Sequence, residues 1–194
     1  MTALDSFARH LISLAPSVGA TVLVGIDGFS GAGKTALAED LGEHEGITVV
    51  SIEEFYLGWA GLADGPARAV AGLADPLRRG ETPRWRAWDW EHDTEGPERE
   101  RPLTTRVVVL EGCGAGARVL REHEALTVWV DADPHEREGR LRTREDWPLY
   151  APHRDAWRRT EQALAQQEGL PEAADVVVRR HTDGSVETPS SRRG

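Results

Sequence analysis

The chain has 194 residues, of which 29% are charged, and its formal net charge at pH 7 is -10. This length supports one substantial core but is short for two full domains. An acidic balance argues against a general nucleic-acid-binding protein. No apolar run approaches the roughly 18 residues of a membrane span, and no signal segment is visible. With Cys113 as the only cysteine, we expect a reduced, cytoplasmic, soluble protein with neither nucleic-acid nor membrane partners. The sequence leaves a homo-oligomer open.

The first predicted elements are an amphipathic helix over 4–14, a buried β-branched strand over 21–26 and a helix over 34–42. Between this strand and this helix lies Gly28–Thr35, GFSGAGKT, which we call the phosphate loop. Its G-x-x-x-x-G-K-[ST] spacing lets successive backbone N–H groups turn inward around a phosphate. The residues expected to bind a nucleotide are Gly28, Ser30, Gly31, Ala32, Gly33, Lys34 and Thr35.

Lys34 is the only lysine among the 23 basic residues. A compact ammonium fits a tight phosphate site where a planar guanidinium does not. We therefore expect Lys34 to contact the β- and γ-phosphates as a catalytic group, and the Thr35 hydroxyl to hold Mg²⁺. The alternative is a glycine-rich turn that binds no ligand.

A second buried strand, 47–51, brings Glu53, Glu54 and Tyr56 to its carboxyl end, the edge where open α/β sheets bind ligands. Glu53 and Glu54 are placed to accept a proton from an acceptor hydroxyl or to organise Mg²⁺ and its water. The alternative is a solvated acidic pair at a helix start.

The stretch 58–104 is irregular and rich in Gly, Pro and Trp, with helical spacing only at 67–73. Such a long stretch indicates a functional insert or lid, here a region for binding the acceptor. Its tryptophans are suited to stacking on a planar acceptor, although a small core under the insert is an equal alternative. The predicted substrate contacts are Glu54, Tyr56, Trp85, Arg86, Trp88 and Asp89.

A third buried strand, 106–112, contains Glu111 near its end, and a fourth spans 126–131. We expect Glu111 to be a Walker-B-type carboxylate that holds a metal-bound water, with a strand-end charge facing solvent as the alternative. Thr35, Glu111 and Glu53 are thus the expected metal-site residues.

The helix that begins after Asp133 carries Arg137, Arg140 and Arg144 at positions i, i+3 and i+7. This spacing puts three guanidinium groups on one helical face, where they would close as a lid over the transferring phosphoryl group and act catalytically. The alternative is a solvated basic face paired with neighbouring glutamates.

A further helix over 153–167 and a strand over 174–178 complete the pattern, and the polar tail 181–194 is expected to fray. Strands alternating with helices predict about five parallel strands with helices on both faces. We expect one domain over 1–180, in which 58–104 is the acceptor region and 134–150 is the arginine-bearing lid.

Several segments resemble the uridine kinase and phosphoribulokinase group of P-loop kinases. The resemblance lies in DGFSGAGKT at 27–35, SIEEFY at 51–56, LEG at 110–112, the arginine series and ADVVV at 174–178. It implies the three-layer sandwich of P-loop nucleoside triphosphate hydrolases, ATP and Mg²⁺ as cofactors, and phosphate transfer to a hydroxyl of a small molecule. It also implies that Glu53, at the family's aspartate position, acts on that hydroxyl. The expected acceptor is a pyrimidine nucleoside, with a pantothenate-, sugar- or antibiotic-like alcohol as the alternative.

Two other classes of protein stay open. One is an ATP-binding switch that needs no acceptor, and the other is a P-loop protein that has lost catalysis. A guanine-specific GTPase is disfavoured because its base-reading N/T-K-x-D element needs a second lysine, which this chain does not have.

Overall fold

The computed structural model describes residues 2–180 and 186–187. The predicted frayed tail therefore lies outside the described residues, apart from 186–187. The helices are α1 (Ala3–Ser13), α2 (Lys34–Gly42), α3 (Gly65–Ala69), α4 (Asp75–Arg79), α5 (Arg118–Arg121), α6 (Pro134–Arg142), α7 (Trp147–Tyr150) and α8 (Arg154–Glu168). The strands are β1 (Val22–Asp27), β2 (Ile47–Ser51), β3 (Arg84–Asp89), β4 (Thr94–Glu100), β5 (Val107–Glu111), β6 (Leu126–Asp131), β7 (Val176–Arg180) and β8 (Val186–Glu187).

The main sheet has the strand order β2-β5-β1-β6-β7-β8. Its first five strands are parallel, whereas β8 is antiparallel to β7. The predicted α/β sandwich with about five parallel strands is therefore confirmed. Because β1 lies between β5 and β6, the phosphate loop leaves the sheet near its centre, beside the end of β5 that carries Glu111.

Alternating side chains of β1 build two cores, one on each face of the sheet. Val22, Val24 and Ile26 pack with residues of α1 and α2 on one face. Leu23 packs on the other face, with residues of β5, the 65–79 segment and α8. Every residue of β1 is buried, as expected of a parallel strand covered on both faces. The helices on either side complete three layers.

The 58–104 region is more regular than its composition predicts. A helical segment runs from α3 through the π-helical turn Val70–Ala74 into α4, so it is longer than the predicted 67–73. Pro66 lies in the first turn of α3, where a missing N–H costs little, and Pro76 lies in the first turn of α4, directly after the π-helical turn. Strands β3 and β4 then form an antiparallel hairpin. None of the described helices is long and apolar enough to cross a membrane.

Candidate active site

The phosphate loop depends on glycine at two close contacts with the chain around it. Gly28 and Gly31 have φ angles of +147° and +79°. A Cβ at Gly28 would lie 2.3 Å from the carbonyl oxygen of Val130, and one at Gly31 would lie 2.5 Å from that of Arg137. Any larger residue at either position would therefore push the loop away from β6 or α6.

Lys34 lies within this loop and is buried. Its Nζ donates hydrogen bonds to the Phe29 carbonyl at 3.2 Å and to Cys113 Sγ at 3.6 Å. Burial lowers the pKa of Lys34, but the neighbouring Cys113 and acidic groups, including Glu111, outweigh it and raise the pKa above its usual value. Lys34 is therefore a cation at neutral pH. The next residue, Thr35, donates its hydroxyl hydrogen to Glu111 Oε2 at 3.2 Å.

A cavity of about 350 Å³ opens above the phosphate loop, and we call it the phosphate-loop cavity. It brings the loop together with both predicted metal-site carboxylates and with two of the predicted lid arginines. Its walls are formed by Ser30, Gly31, Gly33, Lys34, Thr35, Ala36, Glu39, Glu53, Glu111, Cys113, Arg140 and Arg144.

A second cavity, of about 270 Å³, adjoins the first, and we call it the aromatic cavity. The two cavities share Ser30, Glu53 and Arg144. The remaining walls of the aromatic cavity are Trp59, Trp90, Asp146, Leu149, Tyr150 and Trp157. A ligand in either cavity therefore meets the same carboxylate and the same guanidinium at the junction.

Trp59 is the centre of the aromatic wall. Its ring centroid lies 5.0 Å from that of Trp90, 5.8 Å from that of Trp157 and 6.0 Å from that of Tyr150, with the rings inclined to one another. His153 stacks on Trp59 at 4.3 Å with an interplanar angle of 8°. Mutual packing of this kind holds large amphipathic side chains in place around a small-molecule site.

The two glutamates after β2 have different environments. The side chain of Glu53 opens into both cavities. Withdrawal from bulk water in this cleft raises the pKa of Glu53, as does the charge of Glu111, while Lys34 and Arg144 partly offset the rise. Glu54 instead accepts a hydrogen bond from Trp85 Nε1 at 3.0 Å. Glu53 is therefore the carboxylate available to a ligand, and Glu54 anchors the β3–β4 hairpin.

The three predicted lid arginines do not share one helical face, because α6 ends at Arg142 and Arg144 lies beyond it. Arg137 lies over the Phe29 ring at 5.0 Å, and its side chain is only 15% exposed. Arg140 donates hydrogen bonds to the carbonyls of Gly31 and Ala32 in the phosphate loop at 3.1 and 3.3 Å. Arg144 reaches the junction of the cavities and pairs with Asp146 through two nitrogens. Arg137 thus packs against the loop from outside, and Arg140 binds its backbone and lines the phosphate-loop cavity. Arg144 lines both cavities.

The other predicted substrate contacts do not line the aromatic cavity. Tyr56 is buried and donates its hydroxyl hydrogen to the carbonyl of Cys113. Trp85 is buried against Phe55, with 5.0 Å between the ring centroids. This placement matches the alternative of a small core under the insert. Arg86, Trp88 and Asp89 also lie outside the cavity walls. Arg86 is exposed, and Trp88 packs against Gly58. Asp89 accepts hydrogen bonds from the backbone N–H groups of Glu91 and His92.

Sequence reasoning did not select two buried carboxylates that hold the phosphate loop. Asp27 accepts backbone N–H bonds from Gly28, Gly114 and Gly116 at 2.6 to 3.1 Å. Burial raises the pKa of Asp27, although these hydrogen bonds lower it. Glu161 accepts bonds from the N–H and the hydroxyl of Ser30. The sequence does contain a signal for Glu161. It lies four residues after Trp157, at helical spacing, and therefore on the buried face of α8.

The site has the donor atoms that Mg²⁺ prefers. The Thr35 hydroxyl and the carboxylates of Glu111 and Glu53 line one cavity. Among the described residues, no group of three or more His, Cys, Asp or Glu side chains forms a complete metal site. Mg²⁺ does not require such a group, since it usually keeps waters and binds one or two carboxylates together with substrate phosphates. The residues present therefore fit a metal bound together with a nucleotide.

Comparisons with known proteins support the fold. No protein-family model matches the chain, and no curated protein sequence is significantly similar to it. A possible uridine kinase from Bacillus stearothermophilus matches over 90% of this chain and 96% of its own, with 19% identity and a TM-score of 0.62. A candidate fructose transport system kinase from Silicibacter sp. TM1040 matches over the same shares, with 21% identity and a TM-score of 0.57. The chain therefore shares the three-layer α/β fold of these two structures, as the resemblance predicted.

Proposed function

We propose that this protein is an ATP- and Mg²⁺-dependent kinase that transfers the γ-phosphate to a hydroxyl of a small molecule. The observation that carries the proposal is the pair of adjoining cavities that share Ser30, Glu53 and Arg144. A kinase needs one site for a polyanionic donor, a second for the acceptor, and a carboxylate and a cation between them.

The donor side follows from the phosphate loop. Its backbone and the Lys34 cation supply the positive potential that a triphosphate needs. Thr35 and Glu111 are suited to holding Mg²⁺, which neutralises charge on the β- and γ-phosphates when it is bound. Arg144 is placed to stabilise the charge that develops during transfer.

Glu53 supports the acceptor chemistry. In the proposed reaction the acceptor oxygen forms a bond to the γ-phosphorus, and the bond between that phosphorus and the bridging oxygen of ADP breaks. The hydroxyl proton passes to Glu53. A raised pKa suits this role, because a base is most effective when its pKa lies near the working pH.

The aromatic cavity defines what kind of acceptor to test first. Its tryptophan and tyrosine walls favour a ligand with a planar or apolar part that carries a hydroxyl. Taken with the family resemblance, a pyrimidine nucleoside is the leading candidate. The similar folds include both a possible uridine kinase and a candidate fructose transport system kinase, so sugars, pantothenate-like alcohols and antibiotic-like alcohols belong in the same panel.

The test is an ADP-release assay with MgATP and this panel, followed by mass spectrometry of the phosphorylated product. We expect release that depends on one acceptor class and is lost in Lys34→Ala. Acceptor-dependent release that is unchanged in Lys34→Ala would overturn the role of the loop. Tight ATP binding with slow hydrolysis and no response to any acceptor would instead favour a nucleotide-operated switch.

A further inference from the structure

We infer that Trp157 and Glu161 are positioning residues that tie the aromatic cavity to the phosphate loop through Ser30. The inference rests on the proposed function, because it assumes that the aromatic cavity binds the acceptor and that the phosphate loop binds the nucleotide. The bonds that carry it are independent of which acceptor is used.

The three side chains form a continuous buried hydrogen-bond chain. Trp157 Nε1 donates to Ser30 Oγ at 3.1 Å, and Ser30 Oγ donates to Glu161 Oε2 at 2.7 Å. The same carboxylate oxygen also accepts the backbone N–H of Ser30 at 2.9 Å. All three residues are at most 8% exposed. Water therefore has little access to these bonds, and breaking one leaves a largely buried polar group without its partner.

The chain of bonds crosses from one cavity to the other. Trp157 lines the aromatic cavity, whereas Ser30 lines both cavities and belongs to the phosphate loop. Trp157 and Glu161 are one turn apart on α8, and this i, i+4 spacing puts them on the same face. A shift of the Trp157 ring on acceptor binding therefore acts on the hydroxyl that Glu161 also holds.

Glu161 has two opposing effects on a bound nucleotide. Its hydrogen bonds hold the backbone at Ser30 in the shape of the loop. Its negative charge lies close to a site proposed for phosphates and is offset by Arg137, whose nitrogen lies 3.9 Å from Glu161 Oε1. Glu161→Gln separates these effects, because a glutamine carbonyl still accepts both Ser30 bonds but carries no charge. Glu161→Ala removes both.

The experiment measures the Kd of a non-hydrolysable ATP analogue, AMP-PNP, by calorimetry in the presence of Mg²⁺. We expect Glu161→Ala to weaken binding roughly tenfold, the effect of losing about 1.4 kcal/mol of loop preorganisation. Glu161→Gln should bind at least as tightly as the wild type. Gln162→Ala, on the exposed side of α8, is the matched control and should bind like the wild type.

Variants of Trp157 test whether its effect on nucleotide binding comes from the hydrogen bond to Ser30 or from ordinary packing in the aromatic cavity. Trp157→Phe keeps a ring but removes the donor to Ser30, and we expect it to weaken AMP-PNP binding about threefold or more. Trp90→Phe alters the wall of the same cavity without touching Ser30 and should leave the Kd of AMP-PNP unchanged. In a Ser30→Ala background, Trp157→Phe should have no further effect on this Kd, because the partner of its N–H is gone.

Wild-type AMP-PNP affinity in both Glu161→Ala and Trp157→Phe would overturn the inference, even if both proteins melt at a lower temperature. Equal weakening by Trp90→Phe and Trp157→Phe would overturn it too. If Glu161→Ala does not fold, the Trp157 and Ser30 variants decide the question. A wild-type protein that binds AMP-PNP and phosphorylates no acceptor would instead count against the proposed function, so the two failures are distinguishable.

Discussion

The Thr35 hydroxyl donates a hydrogen bond to Glu111 Oε2 across 3.2 Å, so the start of α2 meets the end of β5. These residues are 76 positions apart in the chain. They meet because β5 pairs with β1 in a register that puts Glu111 beside Ile26, just before the phosphate loop. The two oxygen groups are therefore held together by the sheet before any ligand binds.

This pairing predicts that Glu111→Gln raises the Mg²⁺ concentration needed for half-maximal activity by about tenfold or more, since an amide is a weaker ligand for a hard cation than a carboxylate. Mg²⁺ titrations of ADP release measure the effect, and binding of AMP-PNP in EDTA should change little. Glu39→Gln, in the same cavity but outside the Thr35 pair, is the control. An unchanged Mg²⁺ requirement in Glu111→Gln would exclude this carboxylate from the metal site.

The sequence predicts the elements around the phosphate loop well because their signals are local. The phosphate loop, the strand after which it comes and the helix Lys34–Gly42 follow from short-range spacing and glycine chemistry, and the structure has the same helix bounds. The parallel sheet follows from strands alternating with helices.

The aromatic cavity was not predicted because its walls come from separate parts of the chain. Trp59 follows β2, whereas Tyr150 and Trp157 belong to α7 and α8. Nothing in the sequence pairs these positions, while the closely spaced Trp85 and Trp88 attract attention as a cluster. Alternation along β3 turns Trp85 into the core instead, where it packs on Phe55.

The different environments of Glu53 and Glu54 predict which glutamate is the base. Glu53→Gln should lower kcat by about 100-fold or more, the usual range for loss of a general base, with little change in AMP-PNP affinity. Glu54→Gln should retain activity and instead lower the melting temperature, because it weakens the anchor of Trp85. Steady-state kinetics and thermal melts of both proteins make the comparison. A larger kcat loss in Glu54→Gln would reverse the assignment.

The pKa of Glu53 also predicts a pH dependence. Because partial withdrawal from water at the cleft and the charge of nearby Glu111 raise this pKa, the deprotonated base is lost at a higher pH than for an ordinary glutamate. Activity should therefore fall as the pH decreases, with an acidic limb above the usual glutamate value of 4.5. A kcat/KM profile against pH tests this, and the limb should be absent from the residual activity of Glu53→Gln.

Glu124 predicts a pH dependence of stability away from the active site. Its Oε1 is buried without a hydrogen-bond partner, and burial raises the pKa of Glu124 well above 4.5. The folded state then binds the proton more tightly than the unfolded state, so this group's contribution to stability is fully present below pH 4.5 and is lost as the pH rises through the folded-state value.

Glu124→Gln should remove this loss. We expect the variant to match the wild type at low pH and to exceed its free energy of unfolding at neutral pH by on the order of 1 kcal/mol, the lower end of the cost of an unpaired buried polar group. Urea unfolding at several pH values measures the difference. Glu122→Gln, on the exposed surface nearby, should leave the curve unchanged. A stability gap that does not widen with pH would contradict this account of Glu124.

Substitution of Arg144 should mainly lower activity, whereas substitution of Arg137 should mainly lower stability, although both belong to the predicted lid. The Arg144 side chain is 47% exposed and lines both cavities, so Arg144→Ala should cost little stability but lower kcat by about 100-fold. Arg137 is 15% exposed over Phe29, so Arg137→Ala should lower the free energy of unfolding by about 1–3 kcal/mol. Arg142→Ala, whose guanidinium pairs with Glu138 on the surface, is the control for both measurements. Equal kcat losses in Arg142→Ala and Arg144→Ala would mean that the effect comes from the positive charge of this segment as a whole and would contradict a specific role for Arg144 at the transferring phosphoryl group.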